Sequence, residues 1–295
     1  MTKVKKNILR IVVLATFMSL IVVLCSCSSN YKPELKNAQI NTPNIIQSGT
    51  LKVGVDADNP PLAGETSKMS GIDVDVAYAI GDGLGLNVEI QDVGTNGAKA
   101  LKDKKVDIVM GVDKSATLAN CWKSEKYVDT ASALFAKSAN APLPKKGDGK
   151  KVGAQMASSG ALAAQNQLDV SNIKLESNLT ACFDSLNNNR VDYVAADAVV
   201  GTYIANNSDV SCYLIGLLSN PSGYCVGVYE SNVLLQTKIA VILEQLKKNG
   251  TFGVIESKYL AKNLLLDAVP KTEGAGNQAN MSDVEGAVYD HTNTQ

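Results

Sequence analysis

Short apolar runs alternate with amphipathic stretches along the middle of this chain, and two of the runs occur twice. Residues 52–55 (Lys-Val-Gly-Val) are echoed by 151–154 (Lys-Val-Gly-Ala), and 106–109 (Val-Asp-Ile-Val) by 191–194 (Val-Asp-Tyr-Val). Apolar runs that end at small or polar residues are typical of strands in a parallel sheet covered by helices. Because order repeats as well as composition, the pattern predicts two α/β halves. The alternative is two unrelated α/β units that happen to share short Val-rich segments.

The predicted elements follow the same rhythm in both halves. The first half is predicted to contain a strand at 51–55, a helix from 71 to 84, a strand at 88–90, a helix at 98–102, a strand at 106–110 and an extended segment at 131–136. The second half is predicted to contain a strand at 152–155, a helix at 159–168, a strand at 173–175, a helix at 178–187, a strand at 191–195 and an extended run at 224–228. A long helix at 232–249 closes the pattern.

Alternating strands and helices specify parallel βαβ units, so the predicted fold class is α/β with two lobes. The first lobe is predicted to comprise 50–130 and 224–266, and the second 131–223. Ligands bind beyond the carboxyl ends of such strands, so the two sets of strand ends are expected to face a shared cleft. Two extended segments would cross between the lobes, near 129–133 and 221–226, and form a hinge.

The N-terminus has the pattern of a processing signal. Four basic residues precede an uncharged apolar stretch, 11–24, which as a helix would span about 21 Å and fall short of the ~30 Å hydrocarbon core. The following Leu24-Cys25-Ser26-Cys27 resembles the bacterial lipobox, with Cys27 as the residue that is lipidated. We therefore expect a lipoprotein signal peptide at 1–26 and a tether at 27–49. An ordinary secreted protein or a tilted anchor helix remains an alternative.

Charge and composition exclude several classes of function. Removal of the signal takes four of the 28 basic residues and none of the 29 acidic ones, which leaves a net charge of about −5 and no basic field for nucleic acid. The only histidine, His291, lies in a polar segment, 267–295, that is predicted to be a disordered tail. No metal-ligand spacing is present and no cofactor is expected. The four cysteines between 50 and 266 are compatible with two disulfides or with buried free thiols.

A set of phrases, in order along the chain, resembles the extracellular solute-binding proteins of amino-acid ABC transporters. The phrases are Leu51-Lys-Val-Gly-Val-Asp-Ala-Asp-Asn-Pro-Pro61, Gly71-Ile-Asp-Val-Asp-Val76, Leu101-Lys-Asp-Lys-Lys-Val-Asp-Ile-Val109, Lys151-Val-Gly153, Arg190-Val-Asp-Tyr-Val-Ala-Ala-Asp197 and Leu246-Lys-Lys-Asn-Gly-Thr-Phe252. The resemblance covers about residues 45 to 262. It implies a periplasmic-binding-protein-like clamshell of type II, a captured small solute, and delivery to membrane permease subunits. We expect the protein to act as a monomer.

The resemblance also implies ligand-binding positions. The acid that holds the ligand's α-amino group corresponds to Asp197, and Asp56 matches another pocket position. Ser158 and Ser159 precede a helix, where their hydroxyls and the free N–H groups would suit a carboxylate. Capping of a helix N-terminus is the alternative interpretation for Asp197 and for both serines.

The chain departs from the family pattern at the positions that grip an α-amino acid. The family's carboxylate-binding Arg falls near Ala119, leaving Lys114 as a substitute charge close to Asp113, and the clamping aromatic positions fall on Asn59 and near Gly94. With Asp56, Asp113 and Asp197 set against one lysine, the cleft is expected to prefer an amine-bearing or cationic ligand.

The sequence thus predicts the lipid-anchored, extracytoplasmic solute-binding component of an ABC importer. It is expected to capture an amine-bearing solute by lobe closure, and an amino acid is the first expectation for that solute. The ligand shifts the population toward the closed state to the extent that it binds that state better. A sensor or a non-transport surface lipoprotein on the same fold is the alternative, and a dehydratase-type enzyme is a remote one. We predict that the chain is not an enzyme, because its folded part has no histidine and no nucleophile elbow.

Overall fold

The computed structural model describes residues 37–65, 67–207, 211–261 and 263–276. The predicted signal peptide, Cys27, most of the predicted tether and residues 277–295 therefore lie outside the described residues. Within the described ranges, no helix combines the length and the hydropathy needed to cross a membrane.

The predicted strands and helices are all present among the described elements, which also include several that were not predicted. The strands are β1 (Thr50–Val55), β2 (Asp58–Asn59), β3 (Ala63–Glu65), β4 (Met69–Ser70), β5 (Asn87–Asp92), β6 (Ile108–Asp113), β7 (Cys121–Thr130), β8 (Ser132–Ala136), β9 (Val152–Gln155), β10 (Ile173–Glu176), β11 (Tyr193–Asp197), β12 (Tyr213–Ser219), β13 (Ser222–Tyr229) and β14 (Lys271–Gly276). The helices are α1 (Ile72–Leu84), α2 (Gly97–Lys102), α3 (Ser159–Gln167), α4 (Leu179–Asn187), α5 (Ala198–Asn207), α6 (Val233–Lys248) and α7 (Thr251–Leu260).

Two sheets of matching topology divide the chain. The first has the order β5-β1-β6-β13-β7, and the second has the order β10-β9-β11-β8-β12-β14. In each sheet the first three strands are parallel and the fourth is antiparallel. The antiparallel strand in each case lies next to a crossing between the sheets: β8 follows the outward crossing and β13 follows the return.

The repeated Val-Asp phrase makes the same contact in both halves. Asp107 N donates to Lys52 O at 2.8 Å, and Asp192 N donates to Lys151 O at 2.8 Å. In both halves the Asp carboxylate also accepts from the N–H of that lysine, at 2.8 Å and 2.9 Å. β6 and β11 begin at Ile108 and Tyr193, later than the predicted 106 and 191, and in both halves this Asp is the residue just before the strand.

The hydrophobic core is divided between the lobes. The first lobe packs α1 and α6 on its sheet through apolar residues that include Leu51, Ile80 and Ile239. The second lobe has apolar clusters on both faces of its sheet, one centred on Phe135 and Phe183 and the other on Leu134 and Ala164. Phe135 and Phe183 meet edge to face at 5.5 Å, a favourable geometry for aromatic rings.

Both predicted ends of the folded part differ from the structure. The predicted tether reaches residue 49, yet Ile40 and Ile45 are buried in the core of the first lobe, because both are apolar residues in an otherwise polar stretch. The predicted disordered tail begins at 267, yet Leu266 is buried in the second lobe and Lys271–Gly276 forms β14. The backbone of β14 pairs with β12, so its polar side chains do not prevent a strand.

The described cysteines are free thiols: Cys121, Cys182, Cys212 and Cys225. Burial raises the pKa of Cys182 and Cys225 to about 12 and that of Cys212 to about 11. Because the thiolate is the reactive form, we expect these thiols to react slowly with a disulfide reagent at neutral pH in the native protein and rapidly in denaturant. Thiol titration of residues 28–295, which omits Cys25 and Cys27, measures this. Fewer than four thiols in denaturant without reductant would contradict the assignment.

Candidate functional site

A cavity of about 280 Å³ lies at the carboxyl ends of three neighbouring parallel strands, β5, β1 and β6. This is the edge at which open α/β sheets bind ligands. Every residue that lines it belongs to the first lobe, and none is aromatic or basic. The lining residues are Val55, Asp56, Asn59, Asp73, Val93, Gly94, Thr95, Gly97, Ala98, Val109, Met110, Gly111, Val112, Asp113 and Leu118.

Three of the predicted site residues lie together in this wall: Asp56, Asn59 and Asp113. Asp56 follows β1, and its Oδ1 accepts a 3.3 Å hydrogen bond from Asp58 N. Asp113 ends β6, and its Oδ1 accepts from Ser115 N, Ser115 Oγ and Ser222 Oγ at 2.8, 2.7 and 3.2 Å. Among the described residues no donor contacts Oδ2 of either aspartate, so each has an oxygen available for a ligand.

A third carboxylate in the wall, Asp73, was not among the predicted site residues. It lies in the first turn of α1 and is 2% exposed. Tyr127 OH donates to Asp73 Oδ1 at 2.6 Å and accepts from Gly111 N at 2.7 Å. Burial raises the pKa of Asp73 to about 7; the Tyr127 hydrogen bond lowers it, and the nearby charge of Asp56 raises it. The Gly-Ile-Asp phrase was the available signal, but it suggested only a helix start.

Gly111 fits this arrangement for a steric reason. Its φ is +69°, in the left-handed region, and a Cβ there would lie 2.7 Å from Asp73 Oδ2. Glycine is the residue that adopts such a conformation without cost. The backbone of β6 therefore approaches the buried carboxylate closely, and Gly111 N can reach the Tyr127 hydroxyl.

The structure places Lys114 away from the cavity. Its Nζ donates to Ser124 O on β7 and lies 3.5 Å from Glu125 Oε1. The side chain does not line the cavity. A role for Lys114 in binding a ligand carboxylate therefore gains no support from the geometry and stays a prediction.

Asp197 lies at the hinge and caps a helix. Its Oδ1 accepts from Val199 N and Val200 N at 2.9 and 3.0 Å, in the first turn of α5. Its Oδ2 accepts from Thr130 Oγ1 and Tyr224 OH at 2.6 and 3.0 Å, one from each strand beside a crossing. Burial raises the pKa of Asp197, whereas these four hydrogen bonds lower it. The capping interpretation accounts for the two bonds to Oδ1, the two bonds to Oδ2 link the helix to the hinge strands, and a ligand contact stays a prediction.

Ser158 and Ser159 lie in the second lobe and do not line the cavity. Ser158 is the N-cap of α3, and its Oγ accepts from Ala161 N at 3.0 Å. Both side chains are half-buried. The structure therefore brings together Asp56, Asn59 and Asp113 of the first lobe, and it leaves Lys114 and the predicted residues of the second lobe outside the cavity.

The match to known proteins covers most of the folded part. A model of the bacterial extracellular solute-binding proteins, family 3, matches residues 51–262. The chain belongs to this family. Its members are extracellular binding proteins, so the prediction that the chain is not an enzyme is confirmed.

Relatives of this solute-binding protein include L-cystine-binding protein TcyJ of Escherichia coli K12, which is 20% identical over 231 residues, 75% of this chain and 86% of TcyJ. Among solved structures, an ancestral cationic amino acid solute-binding protein is 26% identical, with a TM-score of 0.64 over 72% of this chain and 96% of that one. An ancestral arginine-binding protein bound to arginine is 30% identical, with a TM-score of 0.54 over 72% and 98% of the two chains. The predicted two-lobed type II fold is confirmed.

The departures from the family pattern are visible in the cavity of this solute-binding protein. Asn59 and Gly94, where clamping aromatics were expected, both line it, and so does Leu118, next to the position expected for the Arg. Within the described ranges, no group of three or more His, Cys, Asp or Glu side chains is arranged to hold a metal ion.

Proposed function

We propose that this protein captures a cationic amino acid or a related amine outside the cell and delivers it to an ABC permease. The observation that carries the proposal is the set of carboxyl groups in the cavity wall, which no described basic side chain accompanies. Asp56, Asp73 and Asp113 line it, and no lysine or arginine among the described residues does. An ammonium or guanidinium group supplies the donors that carboxylate oxygens accept, and charge-assisted hydrogen bonds of this kind are about twice as strong as neutral ones.

The same wall disfavours an acidic solute. A ligand carboxylate placed beside these side chains would have no cationic partner within the wall, and burying an unpaired charge costs several kcal/mol. The α-carboxylate of an amino acid would then have to be held by the second lobe, where the N-terminus of α3 offers backbone N–H groups next to Ser159. Lobe closure would bring these groups to the ligand.

The relatives support the same class of ligand. The ancestral cationic amino acid solute-binding protein and the ancestral arginine-binding protein are at least 26% identical to this chain, with TM-scores above 0.5. A solved substrate-binding protein of an amino acid ABC transporter has the same fold. These names describe the relatives, and they make transport of an amino acid the first function to test.

Anchoring by lipid on Cys27 is the second part of the proposal. The lipobox-like Leu24-Cys25-Ser26-Cys27 supports it, and two or three acyl chains would hold the domain at the membrane surface. Metabolic labelling with an alkyne fatty acid checks it. Label retained by the native chain and lost in Cys27→Ala is expected, whereas equal label in both would overturn the anchor.

We expect Asp113→Asn to weaken the binding of L-arginine about tenfold, because the cavity loses one of its carboxylate charges while the side chain keeps its shape. Isothermal titration with L-arginine, L-lysine, L-glutamine and L-glutamate measures this. Asp58→Asn is the matched control, since Asp58 is an exposed carboxylate two residues from Asp56 that does not line the cavity. Binding of L-glutamate as tight as that of L-arginine would contradict the proposed ligand class.

A further inference from the structure

The last described segment, residues 263–276, runs from the first lobe to the second, and we call it the C-terminal strap. It begins on α7: Leu264 N donates to Glu256 Oε1 at 2.6 Å, and Ser257 Oγ donates to Asn263 Oδ1 at 2.8 Å. The segment lies beyond residue 262, where the match to the family model ends. It is therefore a feature of this chain that the family match does not cover.

The middle of the strap touches the cores of both lobes. Leu264 packs against the cluster that contains the core of the first lobe together with Val199 of α5, and also against a cluster of the second lobe. Leu266 is 2% exposed within that second cluster, and Val269 packs beside it. Separation of the lobes at this point would expose the apolar contacts of Leu264 to water, which is unfavourable.

The C-terminal end of the strap pairs with β12 and forms hydrogen bonds at the return crossing. β14 pairs in parallel with β12, the strand that leads into the return crossing. Thr272 Oγ1 bonds to Gln167 Oε1 and to Leu217 O. Lys271 Nζ donates to Asn220 Oδ1 at 2.9 Å, and Asn220 N donates to Gly276 O. Asn220 lies in the crossing itself, between β12 and β13.

We propose that the C-terminal strap is a third connection between the lobes and that it limits how far the hinge opens. The crossings at 130–132 and 219–222 allow rotation about the line that joins them. A third segment, attached to α7 at one end and to β12 at the other, is stretched by that rotation. The inference rests on the described contacts between the lobes and not on the identity of the ligand.

The test lengthens the strap between its attachment to α7 and its attachment to the second lobe. Insertion of Gly-Ser-Gly-Ser after Leu265, which is 76% exposed, adds about 11 Å of slack on average; the control is the same insertion after Gly276. Spin labels on ketone-bearing residues at Asn96 and Thr180 leave the native cysteines in place. These sites are exposed, one in each lobe, near the strand ends that face the cleft. Pulsed electron spin resonance on ligand-free chain 28–295 then measures the distribution of distances.

The expected result is a distribution several ångströms wider, with a longer mean distance, for the insertion after Leu265 and no change for the control. Unchanged distances for both insertions, or equal widening in both, would overturn the proposal. Leu264→Ala is a second test, because it removes the side chain that touches both cores and keeps the strap's length. It is expected to widen the distribution less than the insertion does, and no widening would also count against the strap.

Discussion

Asp197→Ala is expected to lower the free energy of unfolding by about 3 kcal/mol. The substitution removes the cap of α5, typically worth about 1 kcal/mol, and leaves two buried hydroxyls without their acceptor, at about 1 kcal/mol each. Thr130 is fully buried and Tyr224 is 9% exposed, so water does not readily replace the carboxylate. Urea denaturation at pH 7, followed by circular dichroism, measures the loss.

Two variants separate the sources of this effect. Tyr224→Phe removes one hydrogen bond to Asp197 and is expected to cost about 1 kcal/mol. Asp58→Asn serves as a surface comparison, since that carboxylate is exposed. A loss below about 1 kcal/mol for Asp197→Ala would mean that the cap and the hinge contacts contribute little.

Asp73→Asn is expected to stabilise the protein above pH 7 and to leave its stability nearly unchanged at pH 4. The pKa of Asp73 is about 7 in the folded protein, against an ordinary value of 3.8. The stabilisation from the neutral acid is therefore complete below pH 3.8 and is lost as the pH rises through about 7. The difference between these pKa values corresponds to at most about 4 kcal/mol.

The measurement is urea denaturation of the native chain and Asp73→Asn at pH 4, 6 and 8. The amide oxygen of the asparagine can still accept a hydrogen bond from Tyr127 OH, which donates to Asp73 Oδ1 at 2.6 Å in the native chain. Asp58→Asn is the matched control, because that carboxylate is exposed. Parallel stability curves for the native chain and Asp73→Asn would show that Asp73 is ionised throughout, contrary to the expectation.

The repeated sequence segments gave the most accurate predictions of secondary structure. The strands and helices of both halves lie within a few residues of the predicted positions, because buried parallel strands are read as continuous apolar runs. The later starts of β6 and β11 could not be predicted from the sequence. Asp107 and Asp192 continue the pattern in sequence, but their carboxylates bind backbone N–H groups of the neighbouring strand, and only the register shows this.

In the two large sheets, sequence reasoning missed β7, β12 and β14, and two of these three lie at sheet edges. β7 (Cys121–Thr130) lies at the edge of the first sheet and carries Lys123, Glu125 and Lys126. Charged residues are common on edge strands, and they hide the apolar alternation that identifies a strand. β14 was missed for the same reason, since its residues are small or polar and its stability comes from pairing with β12.

The candidate site was predictable only where a motif pointed to it. Asp56 and Asp113 follow or end predicted strands, which places them at the ligand edge. Asp73 lies in the first turn of a helix, where an acidic residue is expected for the helix dipole alone. Its entry into the cavity wall depends on Gly111 and Tyr127, 38 and 54 residues away in sequence, and nothing in the local pattern relates them.

The position of β14 has a practical consequence for producing the protein. β12 (Tyr213–Ser219) contains Leu214, Ile215, Leu217 and Leu218, and without β14 one side of it would present unpaired backbone groups. An apolar strand with a bare edge is a template for sheet growth between molecules. A recombinant fragment trimmed at residue 262, the last position of the family match, would therefore carry an aggregation-prone border that the native chain covers with its own residues.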